Sequence, residues 1–86
     1  MAIVFAATLE RQFQVQTCSD SDGGLVFNVT GTVSGIKLSG ANYSYTDFCK
    51  DTTKILEYTC FSNGTNNFVQ GWSENCTNGC ANGHCN

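Results

Sequence analysis

Cys18, Cys49, Cys60, Cys76, Cys80 and Cys85 are the first residues of this 86-residue chain whose type and spacing carry chemistry. An even number of cysteines in so short a chain reads as a disulfide framework formed in an oxidising compartment. Spacing alone leaves many pairings open. The first bridge is expected at Cys18–Cys49, with the other four cysteines tying the tail to a strand that ends at Cys60. A competing chemistry is zinc, with Cys76, Cys80, Cys85 and His84 as ligands beside the distant Cys60. That spacing departs from the usual zinc-finger forms, and disulfides are favoured.

The second set is four N-glycan acceptor triplets: Asn28-Val-Thr30, Asn42-Tyr-Ser44, Asn63-Gly-Thr65 and Asn75-Cys-Thr77. In such a triplet the asparagine amide nitrogen is the point of attachment. Strand alternation sets Asn28 and Thr30 opposite Leu25, Phe27 and Val29, and Asn42 and Ser44 opposite Tyr43 and Tyr45. A sugar would then stand in solvent. Asn75 is the most constrained of the four, because its middle residue is Cys76. Covalent N-glycans are therefore expected partners, and the expected location is secreted or at the cell surface. Met1–Ala7 is apolar, but it is too short and lacks the positive charge of a signal peptide.

Other chemistry is thinner. Asp20-Ser-Asp22-Gly23 resembles half of a calcium loop, and a Cys18–Cys49 bridge would bring Asp47 to the same place. The twelfth loop position is Val29, so an EF-hand is excluded. The plainer reading, a turn made and capped by Asp and Gly, is preferred. No cofactor is required, and a structural calcium on Asp20, Asp22 and Asp47 stands as the alternative. Catalysis lacks its parts: His84 has no partner base nearby in sequence, and no serine sits in a nucleophile elbow. A carboxylate pair around Asp47 or Glu57 would need a cleft that a chain this short cannot easily build. An enzyme is not expected. Four basic residues against seven acids, net charge −3, provide no basic stripe for nucleic acid. No apolar run approaches the ~20 residues of a membrane span.

These groups must be positioned by a small core, which in a domain of this size is marginal without staples. The pattern is β throughout. Gln12–Thr17 alternates, residues 25–30 form a strand, and a bulge or turn near Ser34-Gly35 separates it from one through Ile36 and Leu38. Tyr43–Tyr45 is a further strand, and Ile55–Phe61 pairs with Asn67–Trp72 through Ser62-Asn-Gly64. Residues 6–11 admit a helix too short to be stable alone, and Asp51–Lys54 a single helical turn as the less favoured reading. Aromatics such as Trp72 are assigned to the core by default, with sugar stacking as the alternative. The expected fold is all-β: a small disulfide-stapled antiparallel β-sandwich or barrel-like module over 18–86. An N-terminal β-prone arm over 1–17 precedes it, and an irregular cysteine-rich tail ends it.

Cys18-Ser-Asp-Ser-Asp-Gly-Gly24, Tyr45-Thr-Asp-Phe-Cys49, Leu56-Glu-Tyr-Thr-Cys60 and Cys76-x3-Cys80-Ala-Asn-Gly-His-Cys85 follow one another in order. Together they resemble an uncharacterised cysteine-rich module of archaeal-type secreted and cell-surface proteins. The resemblance covers residues 18–86 and implies an extracellular module, with no established activity. It lends some weight to calcium at Asp20, Asp22, Asp47 and Glu57. The arm is outside it. Its apolar residues Ile3, Val4, Phe5, Leu9, Phe13 and Val15 need a surface to cover, either in their own sheet or in a neighbour's. The leading expectation is a self-assembling subunit of a glycosylated, pilus-like filament or surface layer. The alternative is a monomeric module that binds carbohydrate or another surface protein.

Overall fold

The computed structural model describes residues 7–21 and 27–86, and every regular element among them is a strand. These are β1 Thr8–Asp20, β2 Thr32–Lys37, β3 Asn42–Thr46, β4 Phe48–Asp51, β5 Lys54–Ser62, β6 Asn67–Asn75, β7 Cys80–Ala81 and β8 His84–Cys85. The first six form one antiparallel sheet in the order β3-β2-β1-β6-β5-β4, and β7 and β8 make a separate small ladder. The small disulfide-stapled all-β module read from the sequence is what the chain adopts.

Rolling of the sheet follows from its order. β3 and β4 are opposite edges, yet Asp47 alone separates them in the chain. Neighbouring Cα atoms sit ~3.8 Å apart, so the two edges must meet there. β1 is the bend that permits this. Its first half pairs with β6, from Thr8↔Ser73 to Val15↔Asn67, and its second half pairs with β2, from Val15↔Lys37 to Asp20↔Val33. A bulge between Val15 and Thr17 lies at the changeover, and a second lies between Leu9 and Arg11. Bulges of this kind bend a strand and let it serve two parts of a curled sheet.

The core sits inside the curl: Val15, Val33, Tyr43, Leu56, Tyr58 and Val69, with Phe13, Cys18, Tyr45 and Cys60 packed against it. Aromatic rings span its interior. Tyr45 lies 5.6 Å from Tyr43, 5.3 Å from Tyr58 and 5.5 Å from Phe13, which packs β3 against β5 although the two are not ladder partners. At Gly35 the backbones of β1 and β2 nearly touch. A Cβ there would lie 2.2 Å from the Thr17 carbonyl oxygen, so only glycine fits.

Several expectations are corrected. Thr8–Arg11 is strand, because ladder bonds to β6 outweigh a weak local helix preference. Phe27–Val29 is a turn, with Val29 46 % exposed, so no strand runs through 27–30, while residues 25 and 26 lie outside the described segments. Thr32–Lys37 is one continuous strand, and the bulge that compensates its pattern lies across from it on β1. Leu38, 57 % exposed, belongs to the turn that follows. Asp51–Lys54 closes a β-hairpin, and the less favoured helical turn does not form. The tail is not wholly irregular: Asn82 and Gly83, both at positive φ, turn β7 back onto β8.

Candidate functional site

All six cysteines are bridged: Cys18–Cys60, Cys49–Cys80 and Cys76–Cys85. The expected Cys18–Cys49 bridge is therefore wrong. Cys49 stands on edge strand β4, three strands from β1, whereas the curl of β1 brings Cys18 within 5.7 Å (Cα–Cα) of Cys60. Zinc ligation by these thiols is excluded by the same pairing. Three disulfides in a domain of this size are compatible with an oxidising, extracellular compartment.

Asp47 closes the seam. Its backbone N–H donates to the Gly31 carbonyl at 2.9 Å, and the Gly31 N–H donates back to Oδ2 at 2.7 Å. Oδ1 accepts the Tyr58 N–H of β5 at 2.8 Å. A residue 3 % exposed thus supplies the acceptors that the β4–β5 ladder, ending at Phe48↔Leu56, no longer provides. Bonds to a buried carboxylate are charge-assisted and among the stronger kind. The tail is laid over this seam. Cys80 N–H donates to Thr52 O, Cys76 N–H to Thr53 O, and Cys85 N–H to Phe27 O. Thr30 Oγ1 donates to Asn82 O, and a Cβ on Gly83 would lie 2.7 Å from Asp47 O.

β5 is consequently buried on both faces. Leu56 and Tyr58 point into the core, while Ile55, Glu57 and Thr59 are buried on the outward face, where β8 touches β5. The Thr59 hydroxyl donates to Asp20 Oδ2 at 3.1 Å. Asp22 lies outside the described residues. Asp20 and Asp47 both bond to β5 at consecutive residues, Asp20 through the Thr59 hydroxyl and Asp47 through the Tyr58 N–H, without the Cys18–Cys49 bridge that the sequence suggested. Among the described residues no group of three or more His, Cys, Asp or Glu side chains is placed to hold a metal ion.

A polar, open recess of about 190 Å³ is lined by Thr8, Glu10, Lys50, Lys54, Ser73, Glu74 and Asn75. Glu10 accepts a bond from Lys50 across it, and hydrogen bonds from Lys50 and Ser73 hold its carboxyl below the usual range. His84 is occupied locally, with Nδ1 3.1 Å from the Cys85 carbonyl oxygen. Among the described residues no helix is long and apolar enough to cross a membrane.

Of the arm residues, Ile3, Val4 and Phe5 lie outside the described segments. Leu9, Phe13 and Val15 lie on β1, where Phe13 and Val15 pack into the chain's own core and Leu9 is exposed. The 17/18 boundary falls within this strand. On the outer face of β1, β6 and β5, Trp72 Nε1 donates to Gln70 Oε1 at 3.2 Å, and Gln70 Nε2 donates to Gln12 Oε1 at 2.7 Å. Phe61 and Phe68 pair on the same face, with ring centroids 6.0 Å apart. All four acceptor asparagines are exposed: Asn28 in a turn, Asn42 on edge strand β3, Asn63 in the β5–β6 hairpin and Asn75 at the end of β6. Sequence reasoning missed the seam role of Asp47. The signal available was only a buried-type spacing, Tyr45-Thr-Asp47, which does not reveal an edge closure. Compared with protein families, characterised proteins and solved structures, the chain matches none.

Proposed function

We propose that this chain is a non-catalytic structural subunit of an extracellular, N-glycosylated filament or surface layer, assembled by exchange of the strand that precedes Cys18. The observation that carries this reading is the position of β1. It is an inner strand with ladder partners on both sides, yet residues 1–17 contain no cysteine and the rest of the chain carries three bridges. The half that pairs with β6 is thus held by hydrogen bonds and side-chain burial alone. The same half supplied by a neighbour would make the same bonds, which is the basis of strand exchange. Assembly by simple edge pairing is disfavoured, because the two edge strands meet at Asp47 and β4 lies under the tail.

The test is complementation. Chain 18–86, refolded with its bridges, should bind a synthetic peptide of residues 1–17 one to one, and full-length chain refolded at high concentration should form long polymers visible by electron microscopy. A full-length chain that stays monomeric at every concentration, with no peptide capture by 18–86, would refute the reading.

A second reading, a carbohydrate-binding module, is favoured by one feature: the Gln12–Gln70–Trp72 row of amides and indole on the outer sheet face. Quenching of Trp72 fluorescence by polysaccharides, with the protein monomeric, would bring it forward.

A further inference from the structure

Among the four acceptor asparagines, Asn63 sits in a setting built for a sugar. The β5–β6 hairpin closes at Ser62↔Asn67, and the Asn63 N–H donates to the Asn66 carbonyl at 3.2 Å. Asn63 Oδ1 accepts two further bonds, from the Thr65 N–H at 3.0 Å and the Asn66 N–H at 2.8 Å. The amide is thereby fixed through its oxygen in an Asx turn. Its Nδ2, the atom that carries a glycan, takes no part in those bonds and belongs to an exposed residue. The neighbouring Gly64 is open too: a Cβ placed on it would meet nothing within 4 Å.

Two residues ahead stands Phe61, 44 % exposed and braced by Phe68 across the hairpin. Phe61 is the last residue but one of β5, just before the turn that carries Asn63. With Phe68 on one side, the rest of this ring is apolar surface left partly in water close to an acceptor asparagine. A pyranose has a complementary surface, the row of axial C–H groups on one side of its ring. Those hydrogens meet the negatively charged face of an aromatic ring favourably. Asn42, whose strand neighbour Tyr43 turns into the core, and Asn75, next to the buried Cys76, have no such ring two residues before them.

We propose that Asn63 is a glycan attachment site of this chain and that the first sugar lies against Phe61, capping the hairpin. This rests on the extracellular reading above. The co-substrate is an oligosaccharide activated as a lipid-linked phosphate ester. The Nδ2 lone pair forms the new bond to the anomeric carbon, the C–O bond to the lipid phosphate breaks, the phosphate leaves with that electron pair, and one amide proton passes to a base of the transferase.

The experiment uses the full chain with Asn28, Asn42 and Asn75 changed to Gln, secreted from eukaryotic cells and trimmed to the first N-acetylglucosamine. The comparison is the same chain made without glycan, with Asn63 unaltered. Glycopeptide mass spectrometry should find Asn63 occupied in most molecules. The sugar should raise Tm by about 4 °C, and this increment should vanish in Phe61→Leu. Nuclear Overhauser contacts between the sugar C–H protons and the Phe61 ring should be present in the unsubstituted glycoprotein, a measurement that stands whether or not the variant folds. An empty Asn63 on a secreted chain with all three bridges overturns this inference alone. An unchanged increment in Phe61→Leu, or absent contacts, overturns the stacking. A secreted chain without its bridges refutes the extracellular reading and the inference with it.

Discussion

β1 is held by backbone ladders on both sides and by Phe13 and Val15 in the core, whereas the tail from Cys76 onward has one two-residue ladder of its own. The tail stays in place through Cys49–Cys80, Cys76–Cys85 and isolated backbone bonds to Thr52, Thr53 and Phe27. The two regions illustrate different ways of keeping a segment on a small core. Ladder bonds and burial are cooperative and reversible, so a segment held by them can leave and return as a unit. A covalent tie allows no departure, and it acts chiefly by removing freedom from the unfolded chain. In this chain the stretch upstream of Cys18 is the one that no bridge encloses.

The contrast can be broken from either side. Cys49→Ala with Cys80→Ala should have the largest effect, about 4 kcal/mol for a closed loop of this size. Hydrogen exchange should then show the tail amides losing protection while the β1–β6 amides keep theirs. Asp47→Asn comes next, at about 3 kcal/mol, because the new NH₂ group would face a buried backbone N–H. Urea unfolding should show the loss, and β3 and β4 amides should be the first to open. Val15→Ala should cost about 2 kcal/mol as a core truncation, loosening β1 and leaving the tail unchanged.

The smallest effect is expected at Tyr43, whose hydroxyl donates to the Thr17 carbonyl of β1 at 2.8 Å. Tyr43→Phe should cost about 1 kcal/mol. Burial raises the phenol pKa above its ordinary 10.0 in the folded chain. The protonated phenol therefore supports the fold fully below that pH. As pH rises further, the unfolded chain sheds this proton first, and the contribution is lost through the folded pKa. Unfolding midpoints taken at pH 8 and at pH 11 should fall more for the parent chain than for Tyr43→Phe.

How far the sequence could be read depended on how local each cause was. The β5–β6 hairpin was legible because Ser62-Asn-Gly64 interrupts two β-rich runs, and the alternation around Tyr43 and Tyr45 correctly set Asn42 and Ser44 outward. β5 itself does not alternate, since the tail buries Glu57 and Thr59 on its second face, and no local pattern announces a cover that arrives from 20 or more residues away. The disulfide pairing was hidden for a similar reason. It depends on the bend of β1 at Val15–Thr17, which no glycine or proline marks. The acceptor triplets were legible as pattern, but only the turn geometry separates Asn63 from the others.

The bridges also set how far this molecule can be stretched. A pull applied upstream of Cys18 and at the chain's last residues does not run through the whole fold. Tension crosses from Cys18 to Cys60, follows the backbone to Cys76, and crosses again to Cys85. Even with every ladder torn open, the backbone along that path extends to only about 55 Å, against well over 200 Å for the unbridged stretch from Cys18 to Cys85. A row of such units under load would behave as a short-travel tether that stiffens early and returns to its own register when released.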